Sequence, residues 1–174
     1  MWNTIIKNIF KRKEAVNLDR DDAQGGSAII SGNEAEGLKK IFGRSVRIRQ
    51  VDAGSCNACE WECIALGNPV YDVSRYGIDF VASPRHADIL LVTGPISKSM
   101  VLALRQTYRA TPGPRIIIGC GDCTVDGGIY RGSYAVTDGL RGILPVAGII
   151  PGCPPGPAEI ARGVRLIVKG LIKE

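Results

Sequence analysis

The 174-residue chain holds one histidine, His86, and no uninterrupted apolar run near the roughly 18–20 residues that cross a bilayer. A transmembrane span is therefore not expected. The opening residues, MWNTIIKNIFKRKE, lack both a long apolar stretch and a small-residue cleavage site, so they do not read as a secretory signal. There is no Walker-type loop and no G-x-G-x-x-G, which leaves nucleotide binding without support. The formal charge of +5 is spread along the chain apart from its N-terminus. It builds no basic patch, and no nucleic-acid partner is expected. The lone histidine, next to Arg85, reads as structural, with proton handling at an interface as the sharper alternative.

What remains is an ordinary globular composition, 45% hydrophobic and 22% charged, with six cysteines. That is enough to bury a core without disulfides, as one domain plus extras. Without a signal peptide the expected compartment is the cytoplasm, where six cysteines speak for metal or redox chemistry over structural bridges.

Residues 1–16 read as a short amphipathic basic helix. Trp2, Ile5, Ile6, Ile9 and Phe10 follow helical spacing, with Lys7, Lys11, Arg12 and Lys13 around them. The helix either packs on its own domain or docks on a partner subunit or an anionic membrane face. Residues 17–45 read as a polar, Gly-rich linker and lead-in. From 46 to 174 strand and helix patterns alternate. Strands are expected at SVRIRQVDA, IDFVAS, ADILLVTG, RIIIGCG and VAGIIPG. Helices are expected at CEWECIALG, SKSMVLALRQTY, AVTDGLRGIL and PGPAEIARGVRLIVKGLIK, with Ser97 as a candidate N-cap for the second. ADILLVTG and RIIIGCG are nearly continuous apolar runs of the kind buried in parallel sheets. The expected fold is α/β with a mostly parallel sheet. One detail resists it: only about four residues separate IDFVAS from ADILLVTG, whereas a parallel crossover takes about a dozen. Residues 78–82 are then expected to be antiparallel or irregular, or one of the two strands to be absent.

On that fold Cys56 and Cys59 follow the first strand, Cys120 and Cys123 follow RIIIG, and Cys153 follows VAGII. Loops after the carboxyl ends of parallel strands gather on one rim. Three loops thus bring five cysteines to one edge, which points to a metal site. Thiolates suit tetrahedral zinc or an iron–sulfur cluster. A single C-x-x-C joined by distant single cysteines in the Gly- and Pro-rich loops CTVDGG and PGCPPG favours a [4Fe-4S] cluster over structural zinc. Such loops let backbone approach something larger than one ion.

The stretches GSCNACEWE, YGIDFVASPRHADILLVTGP, GDCTVDGGIY and IIPGCPPGP together resemble the cluster-bearing small subunit shared by membrane-associated [NiFe] hydrogenases and respiratory complex I. The resemblance covers about residues 46–172. It implies a flavodoxin-like, doubly wound domain with one [4Fe-4S] cluster at the carboxyl-end rim. It also implies ligands at Cys56, Cys59, Cys123 and Cys153. Cys123 matches the family ligand four residues before a Gly-Gly pair, and Cys153 matches G-C-P-P. Cys63 is left as a core residue on the helix and Cys120 as a loop thiol near the cluster. Glu62 stands where the family carries an acidic residue and is a candidate proton relay, or else a helix glutamate facing a partner. Glu60 is expected to be exposed. Asp122 and Asp126 bracket Cys123 and read as turn residues before charge tuners. Complex I subunits resemble the pattern with two adjacent cysteines, so Cys56-Asn57-Ala58-Cys59 falls on the hydrogenase side.

The resemblance therefore implies an electron-transfer subunit of an oxidoreductase complex on the cytoplasmic side of a membrane. Its partners would be a [NiFe] hydrogenase-type large subunit, a ferredoxin-like iron–sulfur subunit and membrane-arm subunits, closest to the formate-hydrogenlyase and energy-converting group. The alternatives are a complex I-type subunit donating to quinone and a zinc-bound structural module.

Overall fold

A computed structural model of the chain describes residues 43–170 together with a short strand at residues 16–17. Residues 1–15 of the expected N-terminal helix and residues 18–42 of the expected linker lie outside the described residues. Val16–Asn17 (β1) pairs in parallel with Gly148 and Ile149, whereas the sequence pattern predicts a helix end and a linker start there.

The other strands are β2 (Val46–Asp52), β3 (Ile78–Phe80), β4 (Ile89–Thr93), β5 (Ile116–Cys120) and β6 (Gly148–Ile150). The sheet order is β1-β6-β5-β4-β2-β3, and every pair is parallel. Counted from β2, the five main strands lie second, first, third, fourth, fifth. That is the flavodoxin-like order expected from the sequence. β4 and β5 are buried at every position, as their unbroken apolar runs require.

Side chains alternate between the faces with the period of two. Ile89, Leu91, Ile116, Ile118 and Cys120 meet α1 (Ala58–Ala65) and α4 (Pro157–Gly170). Leu90, Val92 and Ile117 meet Leu104 of α2 (Val101–Ala110), with Ile96, Leu140 and Leu144. The sheet is covered on both faces. Ser97 precedes a 3-10 turn, Lys98–Met100, that leads into α2, and its side chain makes no capping bond.

The short link between β3 and β4 is resolved by stagger. Both strands are parallel to β2, on opposite sides of it. Ile48 is level with Phe80, the last residue of β3, and with Ile89, the first of β4. The chain does not travel back along the sheet; it steps sideways past β2. Val81 N–H donates to Ile48 O and Asp88 N–H to Arg47 O, both 2.8 Å, as it does so. Asp88 then takes both guanidinium nitrogens of Arg44 at 2.8 Å. Residues 78–80 are thus neither antiparallel nor misassigned.

A second expectation fails outright. Residues 135–144 are turns and not a helix. Gly139 sits at φ +90°, and its neighbours' amides bond across to other loops: Thr137 N–H to Ile96 O and Leu140 N–H to Thr124 O. Two glycines weaken the helix, and these long-range bonds replace it.

Candidate functional site

Three loops leave the carboxyl ends of β2, β5 and β6. The first is shaped by Asp52, whose Oδ1 accepts the N–H groups of Gly54 and Ser55 at 2.8 Å. Ser55 Oγ accepts Asn57 N–H at 3.1 Å, and Asn57 takes φ 71°, a left-handed conformation that asparagine tolerates. α1 begins immediately afterwards. Cys56 therefore stays exposed on the loop, and Cys59 lies half-buried in the first turn of α1.

The other two loops are tied to each other. Asp122 N–H donates to Gly152 O and Gly152 N–H to Asp122 Oδ1, both 2.8 Å, while Gly121 N–H donates to Ile150 O at 2.8 Å. Asp122 is a clasp between loops, more than the simple turn residue its sequence suggested. It fixes Cys123, at the start of the four-residue α3 (Cys123–Asp126), beside Cys153. Asp126 keeps the turn role, accepting Gly128 N–H at 3.0 Å and pairing with Arg131.

The ties bring the sulfurs together. The Cys123 thiol is pushed above the ordinary value, first by burial and then by the neighbouring thiolates of Cys153, Cys59 and Cys56. Cys59 is pulled below the ordinary value chiefly by a hydrogen bond from Cys120, against desolvation and the charges of Glu60 and Asp122. Cys120 is correspondingly pushed well up by its hydrogen bond to Cys59, then by Cys63 and by burial. Cys56, Cys59, Cys123 and Cys153 thus converge from three loops, and Cys63 and Cys120 lie in the core next to Cys59. Cys63 is the core residue expected. Cys120 is no loop thiol but the last residue of β5, with no exposed surface. Among the described residues no group of three or more His, Cys, Asp or Glu closes around a single ion.

Bare backbone gives the sulfurs room. A Cβ on Gly121 would lie 2.8 Å from Cys59 Sγ, and one on Gly128 would lie 2.9 Å from Cys123 Sγ. A thiol donor set with backbone this close suits a polynuclear iron–sulfur group. The loops after β2 and β4 pack closely on each other: a Cβ on Gly94 would meet Ser55 N at 2.8 Å, and Ser97 N–H donates to Ala53 O at 2.8 Å.

The two glutamates exchange roles. Glu60, expected at the surface, is 6% exposed, with Oε1 bonded to Thr93 Oγ1 and Gln50 Nε2 and Oε2 buried without a partner. Glu62 is half-exposed. The signal for Glu60 was present: it stands three residues before Cys63 and six before Leu66, so a buried Cys63 carries Glu60 to the same face. His86 is exposed in the connection entering the amino end of β4, the end opposite the cysteine rim. Around the rim residues, large apolar side chains stand in solvent: Trp61 and Ile64 on α1, Val125, Ile129 and Tyr134 beyond Cys123. No helix among the described residues is long and apolar enough to cross a membrane.

A family model described as NADH ubiquinone oxidoreductase, 20 Kd subunit, matches residues 56–167. A probable membrane-bound hydrogenase subunit of Pyrococcus furiosus is 43% identical over 136 residues, which cover 78% of this chain and 81% of the relative. Formate hydrogenlyase subunit 7 of Escherichia coli is 42% identical over 145 residues, 83% of this chain and 56% of the relative. Among solved structures, a chain of the membrane-bound sulfane sulfur reductase, an archaeal respiratory membrane complex, superposes with a TM-score of 0.67 at 27% identity. The superposition covers 83% of this chain and 77% of that one.

Proposed function

The chain belongs to the NADH ubiquinone oxidoreductase 20 Kd subunit family, and from that premise we propose that it is the electron-transfer small subunit of a membrane-associated [NiFe] hydrogenase complex. Its relatives are subunits of membrane-bound hydrogenase and formate hydrogenlyase. Cys56, Cys59, Cys123 and Cys153 would hold one [4Fe-4S] cluster. When bound, such a cluster supplies reversible one-electron transfer. The observation that carries the reading is the convergence of these four sulfurs from three loops on the rim, next to exposed apolar side chains.

The chain's own residues define what the site does. The Asp122–Gly152 tie holds two of the sulfur-bearing loops in register. Gly121 and Gly128 keep side-chain bulk away from the sulfurs. Trp61, Ile64, Ile129 and Tyr134 offer an apolar face to a [NiFe]-type large subunit, which would cover the rim and exclude water from it. A ferredoxin-like subunit and membrane-arm subunits would complete the assembly on the cytoplasmic side of the membrane. Glu62, half-exposed on α1, would relay protons to bulk. The C-x-x-C spacing favours this reading over a complex I-type subunit that donates to quinone.

The test is anaerobic purification of the intact complex, with iron, sulfide and nickel analysis and EPR of the reduced state. At least about four irons and four sulfides per copy of this chain, the excess belonging to the partner subunits, with nickel co-purifying, are expected. Zinc in place of iron would overturn the cluster. A clustered complex without nickel would move the chain to the quinone branch.

A further inference from the structure

β2 outruns one of its two neighbours. It pairs with β3 only as far as Ile48, level with Phe80, but with β4 as far as Asp52, level with Thr93. Residues 49–52 therefore have a strand on one side and, among the described residues, none on the other. Backbone groups along a strand serve its two neighbours in alternation. Val46 N–H donates to Gly77 O and Ile48 O accepts Val81 N–H, so the even-numbered residues serve the β3 side. Ala53 N–H donates to Thr93 O on the β4 side. Gln50, the next even residue, thus presents its N–H and C=O beyond the end of β3, where no described backbone group bonds to them. The edge stays open because the chain leaves it. Val81 packs with the side chains of the α2 face, and the chain passes on to Asp88, whose N–H donates to Arg47 O.

The open edge floors a groove of about 380 Å³, walled by Cys63, Ile64 and Gly67 at the end of α1 and by Phe80 at the end of β3. Ile64 and Phe80 are both exposed, and Ile64 joins the groove to the apolar face of α1 that carries Trp61. Arg49 lines the groove as well, and no carboxylate among the described residues pairs with it.

We propose that this groove takes an extended, acidic segment of a neighbouring subunit, which adds to the β2 edge as a short strand. The N–H and C=O of Gln50 together call for a peptide backbone, which supplies an acceptor and a donor at strand spacing. Ile64 and Phe80 call for an apolar side chain. Arg49 calls for a carboxylate. An added strand meets these demands at once, because its successive side chains fall on opposite faces. Ile48 faces α1, and Arg49, the next residue, faces the α2 side with Val51. The occupant therefore carries an apolar and an acidic residue next to each other, the first toward α1 and the second toward Arg49. The inference rests on the chain being assembled with other subunits and needs no particular metal at the rim.

The experiment compares the native complex with the full chain alone. Hydrogen exchange is read at single amides. In the free chain Gln50 N–H should exchange at least about tenfold faster than Val51 N–H, which faces β4. In the complex Gln50 should slow at least about tenfold. A photoreactive benzoylphenylalanine in place of Phe80, in the complex, should couple to one partner segment with adjacent acidic and apolar residues. The same probe in place of Leu102, exposed on α2, should not reach that segment. Arg49→Glu should lower the partner retained with the chain about tenfold or more, and Arg49→Lys should restore most of it. Both variants should keep the wild-type urea midpoint, since Arg49 has no carboxylate partner within the described chain. Unchanged exchange at Gln50 in the complex would overturn the inference. So would coupling from position 80 only to lipid, to this chain's own residues or to a second copy of it. A chain that purifies from cells with no other subunit would overturn the inference together with the assembly on which it rests.

Discussion

Cys56 and Cys153 stand exposed at the rim, with Cys59 and Cys123 half-buried between them, whereas Cys63 and Cys120 are sealed in the core. The same division runs along α1, where Trp61 and Ile64 face outward and Glu60 and Cys63 face inward. The outer cysteines sit on loops or at helix starts, held by Asx-type turns and by the Asp122–Gly152 tie. The inner ones sit within a helix and at the end of a strand, where periodicity alone fixes their direction. Outer groups are thus free to serve something the chain does not contain. Inner groups meet only the chain's own side chains.

The strongest way to break that division is to remove sulfurs one at a time. Replacing Cys56, Cys59, Cys123 or Cys153 by Ala should abolish this cluster's EPR signal and remove about four irons per chain, because a cluster and its loops depend on each ligand. Cys63→Ala should retain both. A signal that survives without Cys123, or is lost without Cys63, would put a ligand in the inner tier.

How much of this was legible differed between the tiers. The outer tier followed from the rule that loops after parallel strands share a rim, and ADILLVTG and RIIIGCG declared the parallel sheet. Strand order and the parallel β3 were harder. A residue pattern reports burial but not stagger, and stagger is what lets eight residues link β3 to β4. Residues 135–144 kept an apolar pattern but were claimed by tertiary hydrogen bonds that no local signal shows. The charge of Glu60 argues for the surface and its place one turn before buried Cys63 argues for the core; on this helix the position prevails.

A second test sharpens the division for the acids. Glu62→Gln keeps size and most hydrogen bonding while removing the titrating group. In a fully clustered complex, proton-coupled turnover such as hydrogen evolution should fall about tenfold or more, the scale for losing a positioned acid–base group. Iron content and chemical reduction should be unchanged. Wild-type turnover would leave Glu62 as a surface charge worth about 0–1 kcal/mol.

pH separates the sulfur tiers in the metal-free chain. Cys120 and Cys123 hold their protons above the ordinary thiol value, Cys120 through its bond to Cys59 and Cys123 through burial. Above that value the unfolded chain has released these protons and the native chain has not, so stability present below it is lost as pH climbs. Cys59, shifted the other way, contributes stability above the ordinary value and loses it as pH falls through its lowered one. Urea unfolding at stepped alkaline pH should therefore show a falling midpoint, and a shallower fall in Cys120→Ala. Equal slopes would assign the loss to the outer Cys123.

The smallest effect concerns the acid of the inner tier. Glu60 has one carboxyl oxygen bonded to Thr93 and Gln50 and the other buried without a partner. An unsatisfied buried acceptor costs about 1–3 kcal/mol. Glu60→Met has similar volume and a flexible apolar chain suited to filling the same space. It removes the orphan oxygen but also the acceptor of Thr93, whose hydroxyl retains Val51 O at 3.4 Å, and of Gln50, whose Nε2 retains Thr93 Oγ1 at 3.4 Å. The two terms oppose each other. The desolvation term is the larger because Thr93 keeps an acceptor and the orphan oxygen has nothing. The metal-free Glu60→Met chain should be more stable than wild type by about 1 kcal/mol in urea unfolding. Glu60→Gln, which leaves a polar group in the same place, should show no gain. A loss of stability in the Met variant would mean that Glu60 anchors α1 to β2 and β4, and that its burial serves the fold alone.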